Sequence, residues 1–323
     1  MTSKSWSLAA LALGGALLAG LPAAAQGYPT QNIKFIVPFA AGSATDVLAR
    51  ILGDHASKTL GRPIIVENKG GANGIIAAQA VAGAEPDGHT VLITTNTTHG
   101  ANQSLLKSVP YDAEKSFEPV TKLGTITLAL ATNPSVPAKT VQELITHAKA
   151  NPGKLTFGAG SSSSRIAGEM LKTLGGIDLT YVPYRSNPQA ITDLLGGQIN
   201  IVFADISTTL PQIKAGKVNG LGVSTAKRSA LAPELPTMAE SGVAGYDLAA
   251  WFAAFVPAKT PQPVIDKLRQ ALVVAINDKA TQEKLLAAGI EPETSTSQEL
   301  RAFVGTEIRK WADIVKAAGI QPE

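Results

Sequence analysis

The chain has 323 residues, a formal net charge of +3, 45% hydrophobic and 16% charged residues, and no cysteine. This excludes a disulfide framework, a thiolate metal site and a cysteine nucleophile, and the balance of apolar and charged residues does not suit a disordered chain. No run of Lys and Arg interleaved with aromatics marks a nucleic-acid partner, and the length exceeds one ordinary core, which predicts two domains.

Residues 1–25 read as a secretory leader. Lys4 supplies the positive start, Leu8 to Leu21 is apolar, and Ala23-Ala24-Ala25 fits a small-residue cleavage pattern. The apolar run is short for a membrane span of about 20 residues, so cleavage after Ala25 is preferred over anchoring. The absence of cysteine also leaves no site for an N-terminal lipid. A free exported protein is expected, with the periplasm as its compartment.

The stretch from Ile33 to Arg50, IKFIVPFAAGSATDVLAR, predicts a strand, a loop and a helix. Ile33 to Val37 is a β-branched and aromatic run, and Pro38 cannot donate to a ladder. Ala40, Ala41, Gly42, Ser43 and Ala44 form a loop of small residues, and Thr45-Asp46 opens a helix. Such a turn is an anion cradle: unpaired N–H groups point outward, and small side chains admit a ligand. An ordinary βα turn would look the same.

Pro63 to Glu67 reads as a second strand, Asn68 to Gly74 as a glycine-rich loop, and Ile75 to Ala84 as a helix. Thr90 to Thr94 is a third strand, leaving through a polar loop from Thr94 to Gly100 that includes Asn96 and Thr98. Short connections predict a parallel sheet. Val120 to Ala131 reads as a long strand crossing into a second domain, and Thr140 with Glu143 as a capping box. Leu155 to Phe157 is a strand that enters a polar loop, Gly158 to Arg165, ahead of a helix from Ile166 to Leu174. This second cradle adds Ser161, Ser162, Ser163, Ser164 and Arg165. Ile177 to Pro183 is a strand followed by Tyr184 and Arg185, and Asn187 to Leu195 a helix. Ile199 to Ala204 is a strand with a turn through Asp205, Ile206 and Ser207 at its end, and Val218 to Ser224 is another strand. Tyr246 to Val256 reads as the return crossing, with helices over Val264 to Ile276 and Ser297 to Ala318. Hinges are expected near Thr125 to Ala131 and Asp247 to Val256.

Catalytic and metal motifs are weak. Gly158-Ala159-Gly160-Ser161-Ser162 has no glycine after a serine, so it is not a nucleophile elbow, and it lacks the third glycine of a dinucleotide fingerprint. No Walker A motif is present, and His55, His89, His99 and His147 lack metal-ligand spacing. Asp46 fits the first turn of a helix, while Asp205 at a strand end reads equally as a site residue or a turn residue.

The chain resembles the extracytoplasmic solute-binding proteins of tripartite tricarboxylate transporters, the Bug family. The resemblance spans the mature chain: YPTQNIKFIVPFAAGSATDVLAR (28–50), IIVENKGGANG (64–74), AEPDGHTVLI (84–93), AGEMLK (167–172), YVPYR (181–185), DLLGGQI (193–199), LPTMAESGVAGYD (235–247) and KWADIVKAAGI (310–320). It implies an α/β type II periplasmic-binding fold, two lobes closing on a ligand. Lobe 1 would comprise 26–125 with the return of 249–323, and lobe 2 would comprise 126–248. It implies a ligand carboxylate held by Phe39 to Thr45 (Phe39, Ala40, Ala41, Ser43, Ala44 and Thr45 as contacts), by Asn96 and Thr98, by Ser161 to Ser164, and by Asp205 and Ser207. Tyr184 and Arg165 join these candidates. The implied protein is a non-enzymatic monomer without cofactor or metal, delivering a small di- or tricarboxylate or aromatic acid to a two-component membrane permease. An exported serine esterase and a solute sensor for a membrane signalling partner are the competing readings.

The chain departs from the family in two places. Ala40-Ala41-Gly42-Ser43 replaces a frequent Pro-Gly-Gly run, and Arg165 replaces a frequent histidine. If Arg165 enters the cleft, it would pair with a second acid group and favour a dicarboxylate. It would otherwise face solvent or Glu169.

Overall fold

The computed structural model describes residues 27–322, so the predicted leader and its cleavage site lie outside the described residues. One half begins with β1 (Ile33–Val37), α1 (Ala44–Leu60), β2 (Ile64–Asn68), α2 (Ile75–Ala82), β3 (Thr90–Thr95) and the short α3 (Asn102–Leu105). Strand β1 lies parallel to both β2 and β3, as the short βαβ connections predict. Next comes β4 (Phe117–Thr132), 16 residues long, which covers the expected crossing stretch.

The second half holds α4 (Val141–Ala150), β5 (Thr156–Ala159), α5 (Ser162–Gly175), β6 (Thr180–Pro183), α6 (Asn187–Leu195), β7 (Ile201–Asp205), α7 (Ile206–Lys214) and β8 (Asn219–Val223). The chain returns through β9 (Ala249–Pro257) and ends with α8 (Gln262–Asn277), α9 (Lys279–Ala287), β10 (Ile290–Pro292) and α10 (Ser297–Ala317). The strand order is β2-β1-β3-β9-β4-β7-β5-β6, with β8 and β10 also paired to β4.

Strand β4 changes neighbours along its length. Its residues from Phe117 to Thr127 pair with β9, and those from Leu128 to Thr132 pair with β7. Strand β9 alternates cleanly. Ala250, Phe252, Ala254 and Val256 pack in the core under α1 and α8, while Trp251, Ala253 and Phe255 pack in the core beside α2 and α10. Period-two alternation thus feeds two apolar layers from one strand.

Several expectations are corrected. The polar exit from β3 is not a loop. Thr97–Ala101 forms a π-helical turn, fully buried and continuous with α3. The serine run is helical as well: Ser161 is the N-cap and α5 starts at Ser162. The turn after Asp205 is the start of α7. The Thr140 capping box is half made, because Thr140 Oγ1 accepts from Glu143 N while the Glu143 carboxylate accepts from Lys139 N. The complete box sits at Thr296 and Glu299, at the start of α10.

Helix α10 docks through a buried carboxylate. Glu307 Oε2 accepts from Trp251 Nε1 at 2.7 Å and from Trp311 Nε1 at 2.8 Å. Both indoles are buried, so the carboxylate satisfies two donors that water cannot reach. Glu307→Ala should therefore cost about 2–6 kcal/mol of stability, since each of the two stranded donors costs about 1–3 kcal/mol. Urea unfolding checks this, and Glu307→Gln, which keeps one acceptor, should cost less.

Candidate functional site

A narrow cavity lies where the two halves meet, lined by Phe39, Ser43, Thr45, Thr95, Gly160, Ser161, Ser163, Asn187, Asp205, Ala250 and Phe252. Four helices begin at its wall. Ser43 caps α1, Ser161 caps α5, Asn187 is the first residue of α6, and Asp205 occupies the N-cap position of α7. Each helix N-terminus carries partial positive charge and unpaired N–H groups, so the convergence favours an anion.

The first cradle is held from behind. Gly42 N donates to Asp46 Oδ2 at 2.9 Å, and Asn68 Nδ2 donates to Asp46 Oδ1 at 2.9 Å and to Phe39 O at 3.0 Å. Arg50 Nε donates to Asp46 Oδ2 at 3.0 Å. Burial alone would raise the Asp46 carboxyl, but the hydrogen bonds from Arg50, Gly42 and Asn68 outweigh it and hold the group below its ordinary range. Asp46 thus fixes the loop and does not line the cavity. Gly42 has φ +79°, a left-handed conformation that glycine adopts without strain. The Ala44 and Thr45 N–H groups, at the first two helical positions, have no intrahelical acceptor.

Three hydroxyls on the wall are poised as donors. Ser43 Oγ accepts from Asp46 N, Thr95 Oγ1 accepts from Thr97 N, and Ser161 Oγ accepts from Ser164 N. A hydroxyl whose lone pair is used in this way keeps its O–H for another acceptor. The Ser161 O–H has two routes, since Ser164 Oγ lies 3.0 Å away.

The second cradle has a rigid amide. Asn187 Oδ1 accepts from Gly160 N at 3.1 Å and from Ser164 Oγ at 2.9 Å, which directs its Nδ2 to Asp205 Oδ2 at 3.1 Å. A Cβ on Gly160 would lie 2.0 Å from the Ser186 carbonyl carbon, so only glycine lets the two backbones touch here. Asp205 is half-buried on the wall, and the loss of water around its carboxyl pushes it up to about 6 against the lowering pull of Asn187 and of its own backbone N–H. The two halves also touch directly at the cavity. Asn96 Nδ2 donates to Ser163 Oγ at 2.9 Å, and Ser162 N donates to Thr97 Oγ1 at 3.3 Å.

Of the expected contacts, Phe39, Ser43, Thr45, Ser161, Ser163 and Asp205 lie on the wall. The others do not. Ala41 is exposed, Ala40 is half-buried, and Ala44 is buried behind the cap. Asn96 acts through Ser163, and Thr98 bonds Thr94 and His99. Ser162 and Ser164 are buried, with Ser164 supporting Asn187. Tyr184 donates to Asp193, and Ser207 lies outside the lining set. Arg165 is the main correction. It lies two residues after Ser163, about 200° further around the helix. It lines a separate groove with Lys107, Glu169 and Lys172, its guanidinium 4.9 Å from the Tyr181 ring centroid. Helical periodicity, once the start of α5 is known, would have placed it there.

Sequence reading missed Thr95, Gly160, Asn187, Ala250 and Phe252. Thr95 and Gly160 sit inside stretches already marked polar, and Asn187 was legible only as a helix start. Ala250 and Phe252 carry an apolar pattern that points to core. Among the described residues, no group of His, Asp or Glu has the arrangement of a metal site, and no helix is long and apolar enough to cross a membrane.

Two α/β lobes joined by crossing strands around a helix-capped cavity define the type II periplasmic-binding fold. The periplasmic binding protein BugD has this fold, with a TM-score of 0.88 and 34% identity, covering 92% of this chain and all (100%) of that one. A protein from R. palustris solved with adipate gives a TM-score of 0.89 at 32% identity, again over 92% of this chain and 100% of that one. Protein BugT from Bordetella pertussis is 33% identical over 301 residues, 92% of each chain. The sequence model of the tripartite tricarboxylate transporter family receptor matches residues 48–320, and the chain belongs to this family of solute-binding proteins.

Asp205 gives the site a pH signature. Its folded-state value, about 6, lies above the ordinary 3.8, so the folded state holds the extra proton more tightly than the unfolded one. The stability this contributes is present below about pH 4 and is lost as pH rises through 6. Asp205→Asn should therefore stabilise the ligand-free protein at pH 8, by on the order of 2–3 kcal/mol at 1.36 kcal/mol per pH unit, and the gain should vanish near pH 4. Chemical denaturation at the two pH values measures it.

Proposed function

We propose that the protein captures a small organic carboxylate in the periplasm and delivers it to a membrane transporter of the tripartite tricarboxylate type. The observation that carries this reading is the chemistry of the wall. Four helix N-termini and a set of hydroxyls already accepting from the backbone present donors to one enclosed space. Neutral donors of this kind suit a carboxylate that is held and released. Family membership and the adipate bound by the R. palustris relative support the ligand class, and the family's association with such transporters supports the partner. The leader read in residues 1–25 supports export.

Closure would carry the ligand. The cavity wall draws on both halves, and the Asn96–Ser163 and Thr97–Ser162 contacts bring the halves together beside it. A bend at the crossing strands would open it, in the manner of a hinged two-lobe receptor.

A thermal-shift screen of small carboxylic acids tests the reading. An acid present at about 100 times its dissociation constant should add about 2.7 kcal/mol of stability. Ser43→Leu should abolish that shift while leaving the circular dichroism spectrum unchanged, because a bulky side chain at the α1 cap would fill the approach to the Ala44 and Thr45 N–H groups. An acid that shifts both proteins equally would place the site elsewhere.

A further inference from the structure

The cavity is unbalanced in charge. Among the described residues, Asp205 is the sole ionisable side chain on its wall, and the remainder are hydroxyls, one amide, apolar groups and a glycine. The guanidinium that sequence spacing brings near the second cradle, Arg165, lines the outer groove instead. A carboxylate ligand therefore meets donors on one side and an acceptor-only carboxylate on the other.

Asp205 cannot obtain relief by a local rearrangement of the amide. Asn187 Oδ1 is committed to Gly160 N and Ser164 Oγ, so its amino group remains directed at Asp205 Oδ2. The Thr208 and Thr209 hydroxyls both donate to the backbone carbonyl of Asp205, not to its carboxylate. A half-buried carboxylate whose donors are the Asn187 amide and its own backbone N–H has acceptor capacity left over, and it favours a ligand that brings a further donor. A second ligand carboxylate in the same cavity would instead add a like charge with no cation to offset it.

We infer that the ligand is a monoanion with a hydrogen-bond donor at the end opposite its carboxylate, an amide, ammonium or hydroxyl group, and that Asp205 is the acceptor that selects it. The inference rests on the reading of the cavity as a carboxylate site. It reverses the dicarboxylate preference that a cleft-facing Arg165 would have given. Binding of the donor-bearing acid would place its carboxylate among the Ser43, Thr45 and Ser161 donors and its far end against Asp205.

The test is calorimetry at pH 8, where Asp205 is ionised, with matched pairs at two chain lengths: succinate with succinamate, and adipate with adipamate. In each pair a carboxylate is exchanged for an amide of nearly the same shape. The wild-type protein should bind the better-fitting monoamide at least tenfold more tightly than its diacid. Asp205→Asn, checked for folding by circular dichroism, should lose that ratio or invert it. A wild-type protein that binds the diacid as tightly as the monoamide, or more tightly, overturns the inference and leaves the carboxylate reading standing. A tenfold ratio that survives Asp205→Asn removes Asp205 as the selector. The absence of binding by these acids, together with a blank thermal-shift screen, overturns the carboxylate reading and this inference with it. The wild-type ratio decides alone if the variant does not fold.

Discussion

The structure depends on β4 being one continuous strand with two sets of neighbours. Its first part is sealed by β9 and β10, and its last part by β7 and β8. Its side chains enter all four large apolar clusters among the described residues. Phe117 joins one, Val120, Leu123, Ile126 and Ala129 a second, Leu128 and Leu130 a third, and Ala131 a fourth. Neither half can therefore settle its core without fixing where β4 passes, and that passage positions the ends of β3, β5 and β7 around one space. Ligand sites in open α/β sheets form outside the carboxyl ends of strands, where helices begin. Here the same geometry occurs twice, and the two sets of helix starts face each other.

The chemistry of the cavity follows from this placement more than from any single side chain. Helix N-termini supply fixed positive potential that needs no counter-ion and no mobile side chain. The hydroxyls are oriented by their own backbone contacts, so little ordering remains when a ligand arrives. The supporting residues make this possible. Asp46 and Asn68 hold the first loop, and Asn187 and Ser164 hold the second. Only Asp205 runs against the field of donors, which is why its protonation and its choice of partner carry information about the ligand.

Much of the fold was legible because its signals are local. Ile33 to Val37 and Asn187 to Leu195 match the observed elements residue for residue, since a β-branched run and an apolar helical face declare themselves. The buried turn at Thr97–Ala101 was not legible. Its side chains are mostly polar and are held by contacts elsewhere in the fold, Thr94 and Ser162 through hydrogen bonds and Phe255 stacked on His99, so neither apolar periodicity nor turn residues mark it. The serine run read as a loop because serine favours caps, and Ser161 is indeed one, yet the helix continues through the next three serines. Strand β10 spans three residues and exists only because β4 offers it an edge. The cavity was half legible. Cap residues and small-residue loops announced both cradles, but the orientation of Arg165 depends on helical phase, which a misplaced helix start reverses.

The shared strand also shapes how this sequence can change over time. Side chains on a strand alternate, so a shift of one residue exchanges the two faces. In β4 that exchange would reach all the clusters it feeds, on both sides of the cavity, because its residues are buried along nearly their whole length. An inserted or deleted residue there would disturb two cores and the cavity in a single event. The strand is fitted on both sides at once, and Gly124 shows how tightly: a Cβ at that position would lie 2.5 Å from the Glu291 carbonyl oxygen. Length variation among descendants of this chain should accordingly fall outside β4, which keeps its length.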